Sequence, residues 1–244
     1  MTPPDSPGGF PPTRLSIVER TRSADASERQ LAFGTLIEAY WKPVYKYLRL
    51  KWRLEPDTAA DLTQEFFRGT LEKTVIERYD PARARFRTYL RLCLDGFVSN
   101  QRKADARLKR GGGVAIVPLD FQTAEGELAS REPAVPPDVD ELFYQEWVRA
   151  LLERAVDDVR VWARASDRSH MFDVFARYDL VDEADRPTYA ALAAELGTTA
   201  VTVTNHLAAM RRRLRQAVLR RLRDVTTSDA EFDAEARRLL GGPP

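Results

Sequence analysis

The sequence predicts an all-α protein: two small helical bundles joined by a flexible linker, the second containing a helix-turn-helix. Three observations carry this expectation. Apolar residues recur at three-and-four spacing along most of the chain, and no stretch shows the period-two alternation of a strand. A Pro-, Gly- and acid-rich stretch over residues 111–137 separates two such helical groups. Further on, "PTYAALAAELGTTAVTVTNHLAAMRRRLRQAVLRRL" reads as helix, Gly-containing turn, helix. With 244 residues and 43% of them hydrophobic, the chain can bury one large core or two small ones.

Residues 1–26 are expected to form a disordered tail, since the first dozen are rich in Pro and Gly. The first bundle is assigned to residues 27–110. "SERQLAFGTLIEAYWKPVYKYLRLKW" places Leu31, Leu36, Tyr40, Val44, Tyr47 and Leu48 at helical intervals, with Ser27 as N-cap and Pro43 as a kink or interruption. "EPDTAADLTQEFFRGTLEKTVI" is a second helix with Pro56 and acidic residues in its first turn. "RYDPARA" turns the chain into "FRTYLRLCLDGFVSNQRKADARLKRGGG", where Phe86, Leu90, Leu94, Phe97, Gln101, Ala104 and Leu108 share one face. The other face is read as cationic: Arg83, Arg85, Arg87 and Arg91 first, then Arg102, Lys103, Arg107, Lys109 and Arg110 against only Asp105. Gly111 to Gly113 stop this helix.

Residues 111–137, with the brief apolar run "VAIVPLDF", are read as linker, and 138–225 as the second bundle. Its first helix, "DVDELFYQEWVRALLERAVDDVRVWA", aligns Leu142, Trp147, Leu151, Ala155, Val159 and Trp162; "HMFDVFARYDL" is a shorter one. In the helix-turn-helix, Tyr189, Leu192, Ala193 and Leu196 form the inner side of the first helix. Gly197 makes the turn, and Val203, Leu207, Met210, Leu214 and Val218 form the inner side of the second. Residues 226–244 are a short helix and tail.

The net charge of +1 conceals two basic stretches, Arg83 to Arg110 and Arg211 to Arg223, separated by an acidic one from Asp120 to Asp158. That asymmetry suits a polyanion, although each run taken alone also fits a solvated face. A DNA-binding helix-turn-helix sets the start of its second helix in the major groove. Thr202, Thr204, Asn205 and His206 would then meet base edges, with Arg211, Arg212 and Arg215 near phosphates. The alternative is a hairpin that belongs only to a bundle. His206 is read as a polar surface residue rather than a ligand, because no second histidine lies within helical reach, and His170 is similarly isolated. Cys93, the only cysteine, is expected to be a small core residue. No nucleophile–base pair, phosphate loop, metal constellation or cofactor motif is found, so no catalysis, metal or cofactor is expected. No apolar run is long enough to cross a bilayer and "MTPPDSPGGFPPTR" is too polar for a signal peptide, so a cytoplasmic protein without membrane insertion is expected.

Taken together, "DLTQEFF" at Asp61 to Phe67, the basic helix from Phe86 and "GTTAVTVTNHLAAMRRRLRQ" resemble the extracytoplasmic-function type of sigma factor, in the sigma-70 family. The likeness covers residues 30 to 223. It is closer to a subgroup that pairs "AYWKPVYKYLR", "DLTQEFF" and "KRGGG" with a short C-terminal helix, here "DAEFDAEARRLL". The resemblance implies a promoter-specificity subunit of RNA polymerase with no chemistry of its own, and a first bundle of region-2 and a second of region-4 type. It implies that Asp61, Gln64, Glu65 and Phe66 dock on core polymerase. It also implies that Tyr89, Asn100, Arg102, Lys103, Arg107, Lys109 and Arg110 hold the opened minus-ten strand, with Phe86 as core and Tyr89 as an exposed aromatic. The helix-turn-helix would read the minus-thirty-five element, and an anti-sigma or other regulatory protein is a possible further partner. A one-component helix-turn-helix regulator is the alternative reading; it leaves "DLTQEFF" and the basic helix unexplained.

Overall fold

The computed structural model describes residues 17–72, 75–105, 119–129 and 138–241, and among them all regular structure is helical. The fold class is all-α. Two compact units are distinguished: residues 1–132 with 224–232, and residues 133–223 with 233–244.

In the first unit, α1 (Ile17–Arg20) lies within the stretch expected to be tail. Ile17 and Val18 are fully buried, and apolar residues that find a core are held whatever the composition of the chain before them. Arg22 ties this segment down by donating to the Ile76 and Tyr79 carbonyls at 2.6 and 2.7 Å. Helix α2 (Ala26–Lys51) is capped two residues earlier than expected: the Asp25 carboxylate, not Ser27, accepts from the amides of Ser27 and Glu28 at 2.7 and 3.1 Å. The helix continues through buried Pro43 instead of stopping there. Its Leu36, Tyr40, Val44, Tyr47 and Leu48 are buried, as their spacing predicts, whereas Leu31 stays exposed.

Helix α3 (Pro56–Glu72) packs on α2 through Ala59, Thr63, Phe66 and Phe67, and α4 (Phe86–Asp105) closes the core with Phe86, Leu90, Leu94 and Val98. A polar junction joins α2 to α4. The Asp95 carboxylate accepts from the Tyr47 hydroxyl at 3.1 Å, Lys51 Nζ at 2.7 Å, Trp52 Nε1 at 3.1 Å and Arg91 Nη1 at 2.8 Å. Tyr79 meets the Thr227 hydroxyl at 3.2 Å, and residues 224–232 belong to this unit rather than to a separate terminal appendage.

The stretch expected to be structureless linker contains a helix, α5 (Phe121–Ala129), packed on α2. Asp120 caps it, accepting from the Thr123 amide at 3.0 Å. Its Glu125 accepts from Arg49 Nε at 2.6 Å and from the Tyr45 hydroxyl at 2.7 Å; Glu127 accepts from Lys42 and Lys46 at 2.7 and 2.6 Å. Arg49 holds the Glu125 carboxyl below its ordinary value. For Glu127, burial pushes upward, but Lys42 and Lys46 together outweigh it and hold that carboxyl low as well. Carboxyls that titrate lower when docked stabilise docking above their free value and lose it as pH falls through the docked one. Helix α5 is therefore expected to detach below the ordinary glutamate value of 4.5, read as a shift of the Phe121 and Tyr45 ring resonances on acid titration. Ring resonances unchanged down to the acid unfolding of the whole unit would contradict this.

In the second unit, α6 (Val139–Ala165) buries Leu142, Trp147, Leu151, Ala155 and Val159 as predicted and carries α7 (Ser169–Asp179). Trp162 departs from the expected core stripe. Its ring is a platform for cations, with the Arg213 and Arg168 guanidinium groups 4.3 and 5.3 Å from its centroid. The second unit is completed by α8 (Tyr189–Glu195), α9 (Ala200–Val225) up to Arg223, and the later part of α10 (Asp229–Leu240). There Arg238 lies 3.6 Å from the Tyr144 ring centroid and pairs with Glu141 at 2.9 Å.

Candidate nucleic-acid interface

The turn between α8 and α9 is built from local chemistry. Thr188 caps α8, accepting from the Ala191 amide at 3.1 Å. The helix ends at Gly197, φ +61°, where the Thr198 amide returns to the Ala193 carbonyl at 2.9 Å and the Gly197 amide to Ala194 at 3.3 Å. Thr199 then caps α9 by accepting from the Thr202 amide at 3.2 Å. Nothing lies within 4 Å of where a Cβ on Gly197 would sit, so Gly197→Ala should cost only the left-handed backbone term, about 1–2 kcal/mol, and Gly197→Asn less. Denaturant unfolding checks this, and equal stability of all three chains would contradict it.

Burial of Leu192, Ala193, Val203, Leu207, Met210 and Val218 holds the two helices as the apolar spacing predicts; Leu196, expected on the inner side, is 38% exposed. The opposite face of α9 presents Val201, Thr204 and Asn205 near its start and Arg212 two turns further on. Val201, not singled out from sequence, is 69% exposed and offers a methyl surface of the kind that fits a thymine methyl. Thr202 is half-buried, its hydroxyl 2.9 Å from that of Thr199, and Thr204 donates its hydroxyl to the Ala200 carbonyl at 2.9 Å.

His206 does not face outward as expected. It is half-buried with Nδ1 unpartnered, and its ring meets that of His170 at 5.1 Å, so the two histidines read as isolated are neighbours. Burial pushes the His206 imidazole below its ordinary value, and His170 adds to that. Arg211, expected at phosphate, is held within the unit: Nε and Nη2 donate to the Asp179 carboxylate at 2.9 and 2.8 Å. Arg220 and Arg221 both engage Asp158, at 3.2 and 2.6 Å. Much of the second basic stretch is therefore internally compensated. Arg212 stands exposed with no ion pair among the described residues, and Arg215 is half-buried.

In the first unit, Asn100 is exposed on α4, as a strand-contacting residue requires. Tyr89 is not the exposed aromatic expected. Its hydroxyl donates to the Val75 carbonyl at 2.5 Å, its ring packs on Tyr79 at 5.3 Å, and burial, with the Cys93 thiol alongside, pushes the phenol up to about 12. Cys93 itself is half-buried, which pushes its thiol up. Arg87 and Arg91, expected on the cationic face, turn inward: Arg87 is 9% exposed and Arg91 pairs with Asp95. Arg102 and Lys103 continue α4; Arg107, Lys109 and Arg110 lie outside the described residues. On α3, Asp61 and Glu65 are exposed, Gln64 is half-buried, and Glu65 accepts from Gln101 Nε2. Phe66, expected to meet a partner, is core instead, with the Phe67 and Phe97 rings 5.5 and 5.6 Å away.

Among the described residues no cluster of three or more His, Cys, Asp or Glu can hold a metal ion, and no helix is long and apolar enough to cross a membrane. In comparisons with known proteins, the chain matches no family model, no curated protein and no solved structure.

Proposed function

We infer that the protein is a promoter-specificity subunit of RNA polymerase, binding the core enzyme and promoter DNA and acting in the cytoplasm. The observation that carries this reading is the helix-turn-helix closed at Gly197, whose second helix turns Val201, Thr204, Asn205 and Arg212 outward together. It is supported in the first unit by exposed Asn100 on α4, next to the cationic sequence that follows, and by exposed Asp61 and Glu65 on α3. The subunit positions DNA through base edges and phosphates, while the polymerase carries out the chemistry. Run-off transcription with core polymerase on genomic fragments tests the reading. A one-component regulator would bind its DNA without the core enzyme and would not redirect initiation.

Within this reading Asn205 and Arg212 do different work. Asn205→Ala is expected to relax preference at one upstream base pair by about 1–3 kcal/mol. Arg212→Ala is expected to weaken binding similarly on all sequences and to lower the salt slope by about 1. Binding isotherms on a promoter library at several salt concentrations distinguish the two, and a uniform loss from Asn205→Ala would remove it from base reading.

A further inference from the structure

The two flanks of α9 differ in how their cations are compensated. A helix is about 10–12 Å across and the major groove about 12 Å wide, so a helix that aims one line of residues at base edges has phosphates along both its sides. Asn205 and Arg212 mark the outward line. The residues one step around from them, His206 and Arg213, lie on the flank turned toward α6 and α7, where they meet His170 and Trp162. Arg211 lies on the other flank, and its guanidinium is already committed to Asp179.

On the flank toward α6 and α7 the arginines have no such partner. Arg213 places its guanidinium 4.3 Å from the Trp162 ring centroid, and Arg168, just before α7, approaches the same ring at 5.3 Å. Arg168 is exposed and Arg213 half-buried. Neither forms an ion pair among the described residues, and Asp167, the neighbour of Arg168, closes on neither. Two charges on one ring lie no further apart than about 10 Å, a distance over which they still repel at moderate salt. Cation–π attraction to the indole holds both in place against that repulsion. An arrangement that gathers two guanidinium groups and fixes them without a carboxylate is set to receive an anion, and their forked donors match phosphate oxygens in pairs.

We propose that Arg168 and Arg213, held over Trp162, form a clamp for the DNA sugar–phosphate backbone on the flank of α9 away from Arg211. Duplex DNA is the occupant because the clamp lies beside the line of Asn205 and Arg212, where the wall of an occupied groove runs. The inference rests on the helix-turn-helix lying in a DNA groove, a premise that the promoter-specificity and one-component readings share, and it does not involve the polymerase.

The probe is a short fluorescein-labelled DNA duplex, prepared in several sequences and followed by anisotropy over a series of salt concentrations. The full chain is used alone and in complex with core polymerase. Arg168→Gln with Arg213→Gln removes both charges and is expected to lower the slope of log affinity against log salt by about two, with binding at least about tenfold weaker at about 0.1 M salt on every sequence. Arg168→Lys with Arg213→Lys should keep the wild-type slope. Trp162→Leu keeps both charges but loses the platform; it should also keep the slope while weakening binding about threefold, because the guanidinium groups must then be ordered on binding. An unchanged helical circular-dichroism spectrum accompanies each variant. Duplex binding with these properties by a chain that fails to redirect initiation would support the clamp and count against the polymerase reading alone. An unchanged slope in the glutamine pair, a loss confined to one sequence, wild-type affinity in Trp162→Leu, or no duplex binding by the wild-type chain in either state would overturn the proposal.

Discussion

Asp61→Arg combined with Glu65→Arg is expected to abolish co-purification with core RNA polymerase while leaving the protein folded. Both carboxylates project from the exposed side of α3, whose other side buries Ala59, Thr63, Phe66 and Phe67. The substitutions therefore spare the core and remove only the Gln101–Glu65 contact at the surface. Against a positive partner surface, reversing two charges costs several kcal/mol, which is a loss of at least about a hundredfold in affinity. A pull-down with an unchanged helical circular-dichroism spectrum is the check. Retention of core enzyme at the wild-type level would remove α3 from the interface and with it much of the promoter-specificity reading. Phe66→Ala makes the contrasting case. Its ring is enclosed by Phe67 and Phe97, so it should lower stability by about 3–5 kcal/mol, and any loss of binding should follow the loss of fold.

The second large effect is expected at Asp95. Four side-chain donors converge on its carboxylate, two of them the cations Lys51 and Arg91, and the site is only one-fifth exposed. Removing the acceptor leaves two positive charges, a phenol and an indole N–H facing one another with partial access to water. Breaking a buried pair from one side costs about 3–5 kcal/mol, and the residual exposure puts Asp95→Ala near the lower end, at about 3 kcal/mol. Thermal and denaturant unfolding of the full chain should show the first unit melting about 10 °C lower. Asp95→Asn, which keeps an acceptor but no charge, should fall between. A change below about 1 kcal/mol for Asp95→Ala would show that solvent replaces the junction.

The features legible in the sequence are those fixed by neighbours a few residues apart. Three-and-four spacing identified the helices and the stripe Val203, Leu207, Met210 and Val218 that seats α9, and it left Asn205 outside. Gly197 announced the turn because that position takes a left-handed backbone, which glycine adopts without a Cβ penalty. Helix α5 had a sign of its own, Asp120 as a cap with Phe121, Ala124 and Leu128 at helical spacing. Nine residues interrupted by Gly126 were too few to stand out from a Pro- and Gly-rich surround.

Charge was harder to read than apolarity, because a cation in a sequence carries no sign of where its partner lies. Arg211 finds Asp179 at a separation of 32 residues, Arg221 finds Asp158 at 63, and Arg49 finds Glu125 at 76. The first two matches turned part of an expected polyanion surface into internal pairs, and the third seats α5 on α2. The same holds for His206, which spacing alone placed at the groove and α7 placed against His170. The sequence by itself determined that this chain is helical, that it carries a helix-turn-helix and which residues seat it, since those depend on local period and backbone preference. Only the tertiary structure decided which arginines stay available, that Tyr89 and Phe66 are packed rather than presented, and that the acidic stretch between the bundles docks on α2. Those outcomes depend on which distant side chains the packed helices bring within reach of one another.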